Sequence, residues 1–327
     1  MSGKLRIGII GCGDFLRLRA ADLLSSRQVE VKLLYSPVNS ANAERYAEIF
    51  GAKAADSPEA IINNLEIDVV CVFVPPFVRK EYVLAAAKAG KQIVATKPLA
   101  ADLSDAREMT EAVEQAGVRG GGIYRRTNNP VIEAYKEIFS GGEFGKLALY
   151  KQDWLHHYPT WNRWATDPKK NGGPFMDAML HNLNAARYLM GRRVVGRAFF
   201  SDDHTHSLAC DDTQFLKVDF EQGASAHLFI TWAAELAVYD SAKNDREHID
   251  QCFMVTDQGW LFRNEIREGK AVITATRNGL EKDFPVIPFE ETFFDRYAKE
   301  IKNRDILPAD LPDIREAYED LRILLEN

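Results

Sequence analysis

Cysteine is scarce in this chain and carries no pattern: Cys12, Cys71, Cys210 and Cys252 are scattered over 327 residues with no C-x-x-C pair. A disulfide scaffold and a thiolate zinc module are excluded, and unpaired thiols fit a reducing compartment. No apolar run approaches the ~20 residues that span a bilayer, so no membrane partner is expected. No basic run or basic helix stands out, and the net charge is −7. Nothing here attracts a polyanion, so nucleic acid is not an expected partner either. Internal repeats and low-complexity tracts are missing too. The opening MSGKLRIGIIGCG enters a strand pattern almost at once, with no long apolar core and small-residue cleavage site, so no signal peptide is expected. These absences together point to a cytoplasmic protein.

What is present is ordinary for a soluble chain: 46% hydrophobic and 27% charged residues. Domains hold ~100–200 residues, so two are expected. The first 120 or so residues alternate apolar runs with helical patterns. Strands read at 5–11, 29–36, 67–75 and 92–98, and helices at 14–26, 40–50, 79–89 and 102–116. That alternation predicts a doubly wound parallel sheet with right-handed crossovers. Glycines, an Asn pair and a Pro in GGIYRRTNNP (121–130) mark a boundary. Beyond it come a helix (131–139), a strand (146–154), a helix (174–190), a run of alternating strands, and two closing helices near 290–302 and 311–325. The expectation is a Rossmann domain over 1–122 and an α+β domain with a large, mostly antiparallel sheet over 123–327.

Gly11-Cys12-Gly13 follows the first strand and opens the first helix. Gly11 permits the tight turn, and Gly13 lets a pyrophosphate approach backbone N–H groups at a helix N-terminus. Asp14 and Phe15 follow as further cofactor contacts. The third glycine of G-x-G-x-x-G is absent, with Leu16 in its place. The end of the second strand, Tyr35-Ser36-Pro37-Val38-Asn39, offers neither an acid for ribose hydroxyls nor a base for a 2′-phosphate. Ser36 and Asn39 suit either form, so NAD against NADP stays open. The plainer alternative is a turn in an α/β protein that binds nothing.

Four segments carry a family resemblance: IGIIGCGDF at the start, AAAKAGKQIVATKPLA (85–100), GGIYRRTNNP with SGGEFGKL, and Trp164-Ala-Thr-Asp-Pro followed by NGGPFMDAMLHNLNAARYLMG (171–191). In these the chain resembles the glucose–fructose oxidoreductase/inositol dehydrogenase (Gfo/Idh/MocA) family along nearly its whole length, as a divergent member. Thr96 stands where a Glu before Lys-Pro is usual, Ala165 where an Arg follows the Trp, Pro174 for a third glycine and Asn184 for an Asp. Val74-Pro75-Pro76 replaces Thr-Pro-Asn, and Arg79 stands where a His is common. The resemblance implies a nicotinamide cofactor touching Val74, Pro75, Thr96 and Lys97, a catalytic trio of Lys97, Asp177 and His181, and a homo-oligomer, dimer or tetramer.

The residues allow that chemistry. Asp177 and His181 are four apart in a helical segment and share a face. Lys97 ends a nucleotide-domain strand, the edge where open α/β sheets bind ligands. Oxidation of an alcohol needs a base of near-neutral pKa, which His supplies; Asp177 would orient the ring or bind a neighbouring hydroxyl, and Lys97 would hold the reacting oxygen. A helix ion pair and a solvated strand end are the plainer readings of the same residues.

The loop DWLHHYPTWNRW (153–164) has the rings that suit a sugar or polyol, with His157, Tyr158 and Trp164 as candidate contacts and an interdomain plug as the alternative. Arg126, like Arg125, could clamp an acidic group or make an ion pair. SDDHTHSLACDD (201–212) contains His204-x-His206 but no helical i, i+4 pair and no Cys partner, so it reads as a solvated loop and no metal is expected. The leading expectation is therefore a sugar, inositol or polyol dehydrogenase or reductase. Its rivals are transient redox for elimination or glycoside cleavage, and a ligand sensor that keeps the fold.

Overall fold

The computed structural model describes residues 3–160, 164–236, 248–303 and 310–326. The chain forms two compact units, Met1–Asn128 with Phe289–Asn327, and Asn129–Pro288.

The first unit is built on β1 (Leu5–Ile10), β2 (Val29–Tyr35), β3 (Lys53–Ala54), β4 (Val69–Val72), β5 (Gln92–Thr96) and β6 (Gly120–Ile123). They form one six-stranded parallel sheet in the order β3-β2-β1-β4-β5-β6. The continuous apolar run through VVCV, every residue of it buried, is what a strand covered on both faces requires. Between the strands lie α1 (Asp14–Ser25), α2 (Ser40–Phe50), α3 (Pro58–Ile62), α4 (Lys80–Lys88) and α5 (Leu103–Gln115).

Two features differ from the sequence reading. The glycines read as marking a boundary are part of β6, whose four residues GGGI are all buried. The closing helices, expected in the second domain, belong to the first unit: α8 (Phe293–Lys302) and α9 (Ile314–Leu325). The two findings share a cause. A Cβ on Gly121 would lie 2.5 Å from the Tyr297 ring, and one on Gly120 would lie 3.0 Å from Ile314 Cβ. Glycine weakens a strand by itself and marks places where other groups come close; here it admits α8 and α9. Tyr297 Oη donates to the carbonyls of Ile93 and Arg119 at 2.7 and 2.9 Å. Phe293, Phe294, Tyr297 and Ala298 join the same buried core as Ile7, Ile9 and Val94.

The second unit contains α6 (Pro130–Ser140), β7 (Leu147–Leu155), α7 (Leu180–Met190) and strands β8 (Val194–Asp202), β9 (Thr213–Phe220), β10 (Ala224–Thr231), β11 (Ile249–Thr256), β12 (Leu261–Arg267), β13 (Lys270–Arg277) and β14 (Leu280–Pro285). Its eight-stranded sheet runs β14-β13-β12-β11-β7-β10-β9-β8, antiparallel except where β7 pairs with β10. Strands such as TQFLKVDF alternate buried and half-buried residues, the signature of a sheet with one face in the core. Among the described residues no helix is long and apolar enough to cross a membrane.

Candidate functional site

In the first unit the candidate groups line the carboxyl ends of β1, β2, β4 and β5. Gly11 has φ +106°, and a Cβ there would meet the Phe73 backbone at 2.7 Å. Only glycine fits such a place. Gly13 caps α1 with no side-chain hydrogen bond, and nothing lies within 4 Å of where its Cβ would be. A helix N-terminus with backbone donors and open space beside it fits a pyrophosphate. Leu16, at the position of the missing third glycine, is fully buried in the core, so the helix packs through a side chain there. Phe15 is half-buried with its ring 5.0 Å from that of Phe73. Asp14 is exposed at the first turn, beside Arg17 at 3.6 Å. Ser36 Oγ accepts from the Asn39 N–H at 3.4 Å, while Asn39 Oδ1 caps α2 through the Ala41 N–H. Asn39 is thus engaged by the helix, and Ser36 is the other polar side chain at the end of β2. The residues fit the phosphate part of a dinucleotide and leave its ribose end without a charged partner.

Val74 is buried and Pro75 half-buried. Thr96 and Lys97 are half-buried, with buried residues on either side from Ile93 to Ala95 and from Pro98 to Ala100. This strand end is organised by Arg79, a residue to which sequence reasoning gave no role. Its guanidinium is 1% exposed. It donates to the carbonyls of Val74 (2.7 Å), Thr96 (2.5 Å), Leu99 (3.1 Å) and Pro98, and to Thr96 Oγ1 (2.7 Å). Burial pulls its pKa down to about 9, so it stays a cation at neutral pH. The two departures Arg79 and Thr96 are therefore partners: the threonine hydroxyl and the strand-end carbonyls receive the buried fork. The oddity of both residues was visible in the sequence; their contact was not.

Arg126 is also 1% exposed, ion-paired with Glu316 at 3.2 Å and donating to the Asp310 carbonyl. Its charge is engaged inside the first unit, in keeping with the ion pair that the sequence reading set beside a clamp.

In the second unit, Asp177 and His181 stand on one continuous helical segment. Gly172 and Gly173, with φ +76° and +103°, turn the chain into it, and Gln214 Oε1 accepts from the Phe175 N–H at 2.8 Å. Phe175–Met179 form a π turn that runs into α7. Such turns are rare and cluster at functional sites. Between Gly173 and Ala186 every residue is buried except Asp177 and His181. Both are half-buried and, four residues apart, share one face of an otherwise buried helix. His157 and Tyr158 are half-buried, their rings 4.3 Å apart and 5.1 and 4.9 Å from the ring of His206. Trp164 is half-buried; residues 161–163 of the aromatic loop lie outside the described residues.

A model of the oxidoreductase family with an NAD-binding Rossmann fold matches residues 5–121, and one of the GFO/IDH/MocA C-terminal domain matches residues 132–245. An uncharacterized oxidoreductase of Streptococcus pneumoniae is 32% identical over 193 residues, 57% of this chain and 50% of that one. Myo-inositol 2-dehydrogenase of Thermotoga maritima is 26% identical over 306 residues, 91% of this chain and 86% of that one. The crystal structure of aldose–aldose oxidoreductase from Caulobacter crescentus, complexed with glycerol, superposes with a TM-score of 0.82 at 19% identity, covering 98% of this chain and 95% of that one; at that identity the likeness speaks to the fold.

Proposed function

The chain belongs to the Gfo/Idh/MocA family of oxidoreductases, and from that premise we propose that it is an NAD- or NADP-dependent dehydrogenase or reductase acting on a hydroxyl or keto carbon of a sugar, inositol or related polyol. The observation that carries this reading is that Asp177 and His181, four residues apart, are the two half-buried residues on an otherwise buried helical segment, in a chain whose other unit has a glycine turn that fits a dinucleotide phosphate.

A bound nicotinamide supplies or accepts the hydride. The chain's own groups handle the proton and the substrate. Gly11, Gly13, Asp14 and Phe15 form the turn that would hold the pyrophosphate, with Ser36 at the ribose end and Val74, Pro75, Thr96 and Lys97 along the strand ends. His181 takes the hydroxyl proton in oxidation and returns it in reduction. Asp177 orients that imidazole or binds an adjacent hydroxyl. The Lys97 ammonium holds the reacting oxygen and stabilises negative charge as it develops. Tyr158 and Trp164 present ring faces to C–H surfaces of the substrate. The wide second sheet supports assembly into a dimer or tetramer.

The test is a titration with NADH and NADPH followed by turnover on a panel of polyols and sugars. We expect binding of at least one cofactor and a fall in kcat of roughly 100- to 10,000-fold in His181→Ala, the range of a positioned acid–base group. Unchanged turnover in that variant would remove the base assignment, and failure of both cofactors to bind at millimolar concentration would remove the oxidoreductase reading for this chain.

A further inference from the structure

We propose that the second unit carries a binding site for a zinc-class divalent cation, formed by His157, His206 and Glu235. One ligand atom from each of these side chains falls within 4.8 Å of the others. His157 follows β7, His206 lies between β8 and β9, and Glu235 follows β10. The partners of His206 come from elsewhere in the chain, brought to it by the sheet.

The backbone around both histidines is held in place. The chain after β7 runs antiparallel to the chain after β10, with His157 opposite Ala233 and its N–H donating to the Leu236 carbonyl at 2.6 Å. That pairing sets His157 next to Glu235. The segment around His206 is drawn onto Asp212, a fully buried carboxylate. It accepts from the backbone N–H groups of His204 (3.1 Å), Thr205 (2.9 Å) and His206 (3.1 Å). The Thr213 hydroxyl donates to the same carboxylate at 2.8 Å. The loop is a fixed platform, with His204 exposed and His206 turned inward.

The two rings also have the chemistry of ligands. His206 Nε2 lies 3.1 Å from the Trp232 carbonyl. A carbonyl only accepts, so Nε2 keeps its proton and the lone pair sits on Nδ1. An imidazole whose second nitrogen is tied to a carbonyl is the usual arrangement of a metal-binding histidine. His157 Nδ1 is buried and has no hydrogen-bond partner, which costs free energy unless something fills the place. Glu235 Oε2 stands 3.9 Å from it, too far for a hydrogen bond.

Two imidazoles and one carboxylate match the ligand types of an open zinc site, with a fourth position for water or a small ligand. Zinc–nitrogen bonds of about 2.0–2.1 Å put tetrahedral donors roughly 3.4 Å apart, and Glu235 Oε2 stands 3.9 Å from His157 Nδ1. Glu235, whose side chain is 82% exposed, can close its own share of that gap by turning about its side-chain bonds. On this reading His157 is a cation ligand rather than a sugar contact.

The test uses the full chain, stripped with chelator and dialysed. Zn2+ is titrated in competition with a chromogenic indicator, and Co2+ is followed by its visible absorption. One equivalent of Zn2+ is expected, with the intense absorption of four- or five-coordinate Co2+. His206→Ala and Glu235→Gln should each weaken Zn2+ at least about 30-fold, while His204→Ala, next in sequence but exposed, should bind as the parent does. Glu235 is on the surface, so its variant keeps the test valid if His206→Ala fails to fold. Substoichiometric Zn2+ in the parent, or equal affinity in Glu235→Gln, overturns the proposal.

Discussion

At the scale of single residues, position decides between chemistry and packing where residue type does not. Gly11 and Gly13 are both glycines of one turn, yet only Gly11 is forced by a close backbone; Gly13 is surrounded by open space. Arg79 and Arg126 are both buried cations, one feeding carbonyls at the end of β5 and the other an ion pair. His156, adjacent to the proposed cation ligand, shows what burial does to a titrating group. It is 2% exposed, and burial drives its pKa down to about 4, helped by His248 and His157 and opposed by its bond to the His157 carbonyl and by Asp250. Between about pH 6.5 and pH 4 the unfolded chain takes up a proton that the folded chain refuses. The stability from a neutral His156 is therefore complete above about pH 6.5 and fades as pH falls towards 4, by up to about 3 kcal/mol. We predict that urea midpoints at pH 7 and pH 4.5 differ clearly in the parent and much less in His156→Asn. An undiminished acid shift in that variant would show that another group carries it.

At the scale of elements, the return of the chain to its first unit rests on one carboxylate. Asp295 sits in the first turn of α8 and closes a capping box with Thr292. Its Oδ1 also accepts from Ser26 Oγ (2.6 Å) and from the N–H groups of Arg27 (2.9 Å) and Gln28 (3.0 Å) in the turn before β2. Loss of a cap costs ~1 kcal/mol, and each orphaned buried donor adds to that. Asp295→Ala is predicted to lower stability by roughly 3 kcal/mol, and Asp295→Asn by less, in urea unfolding of the full chain. A loss below ~1 kcal/mol would mean that the apolar face of Phe293, Phe294 and Tyr297 holds α8 by itself. The helix was legible in the sequence from its apolar spacing. Its docking site was not, because Ser26 and Asp295 are 269 positions apart and nothing local marks them as partners.

At the scale of the whole molecule, the second sheet leaves rings in water. Phe200 on β8 is 59% exposed and stacks on Phe215 of β9 at 6.2 Å, while Ile266 on β12 is 70% exposed. A ring exposed on the edge strand of a wide sheet suits a symmetric contact between copies. Sedimentation is expected to return two or four times the chain mass, and Phe200→Glu to shift it towards one. A parent that sediments as a monomer at micromolar concentration would remove the oligomer.

The sequence alone determined the alternation of strands and helices, the glycine turn after β1, the family resemblance and the choice of Lys97, Asp177 and His181 as candidates. All of these are written in short-range spacing: period-two and period-3.6 patterns and motifs a few residues long. Tertiary structure decided the rest. It made Gly120–Ile123 a strand, because bulky side chains from α8 and α9 need the room. It committed Arg126 to Glu316 and paired Arg79 with Thr96. It put His157, His206 and Glu235 side by side, across a sheet whose strand order does not follow the chain. Contacts of that kind depend on which strand lies beside which, and hydrophobic periodicity, being the same for any neighbour, does not carry that information.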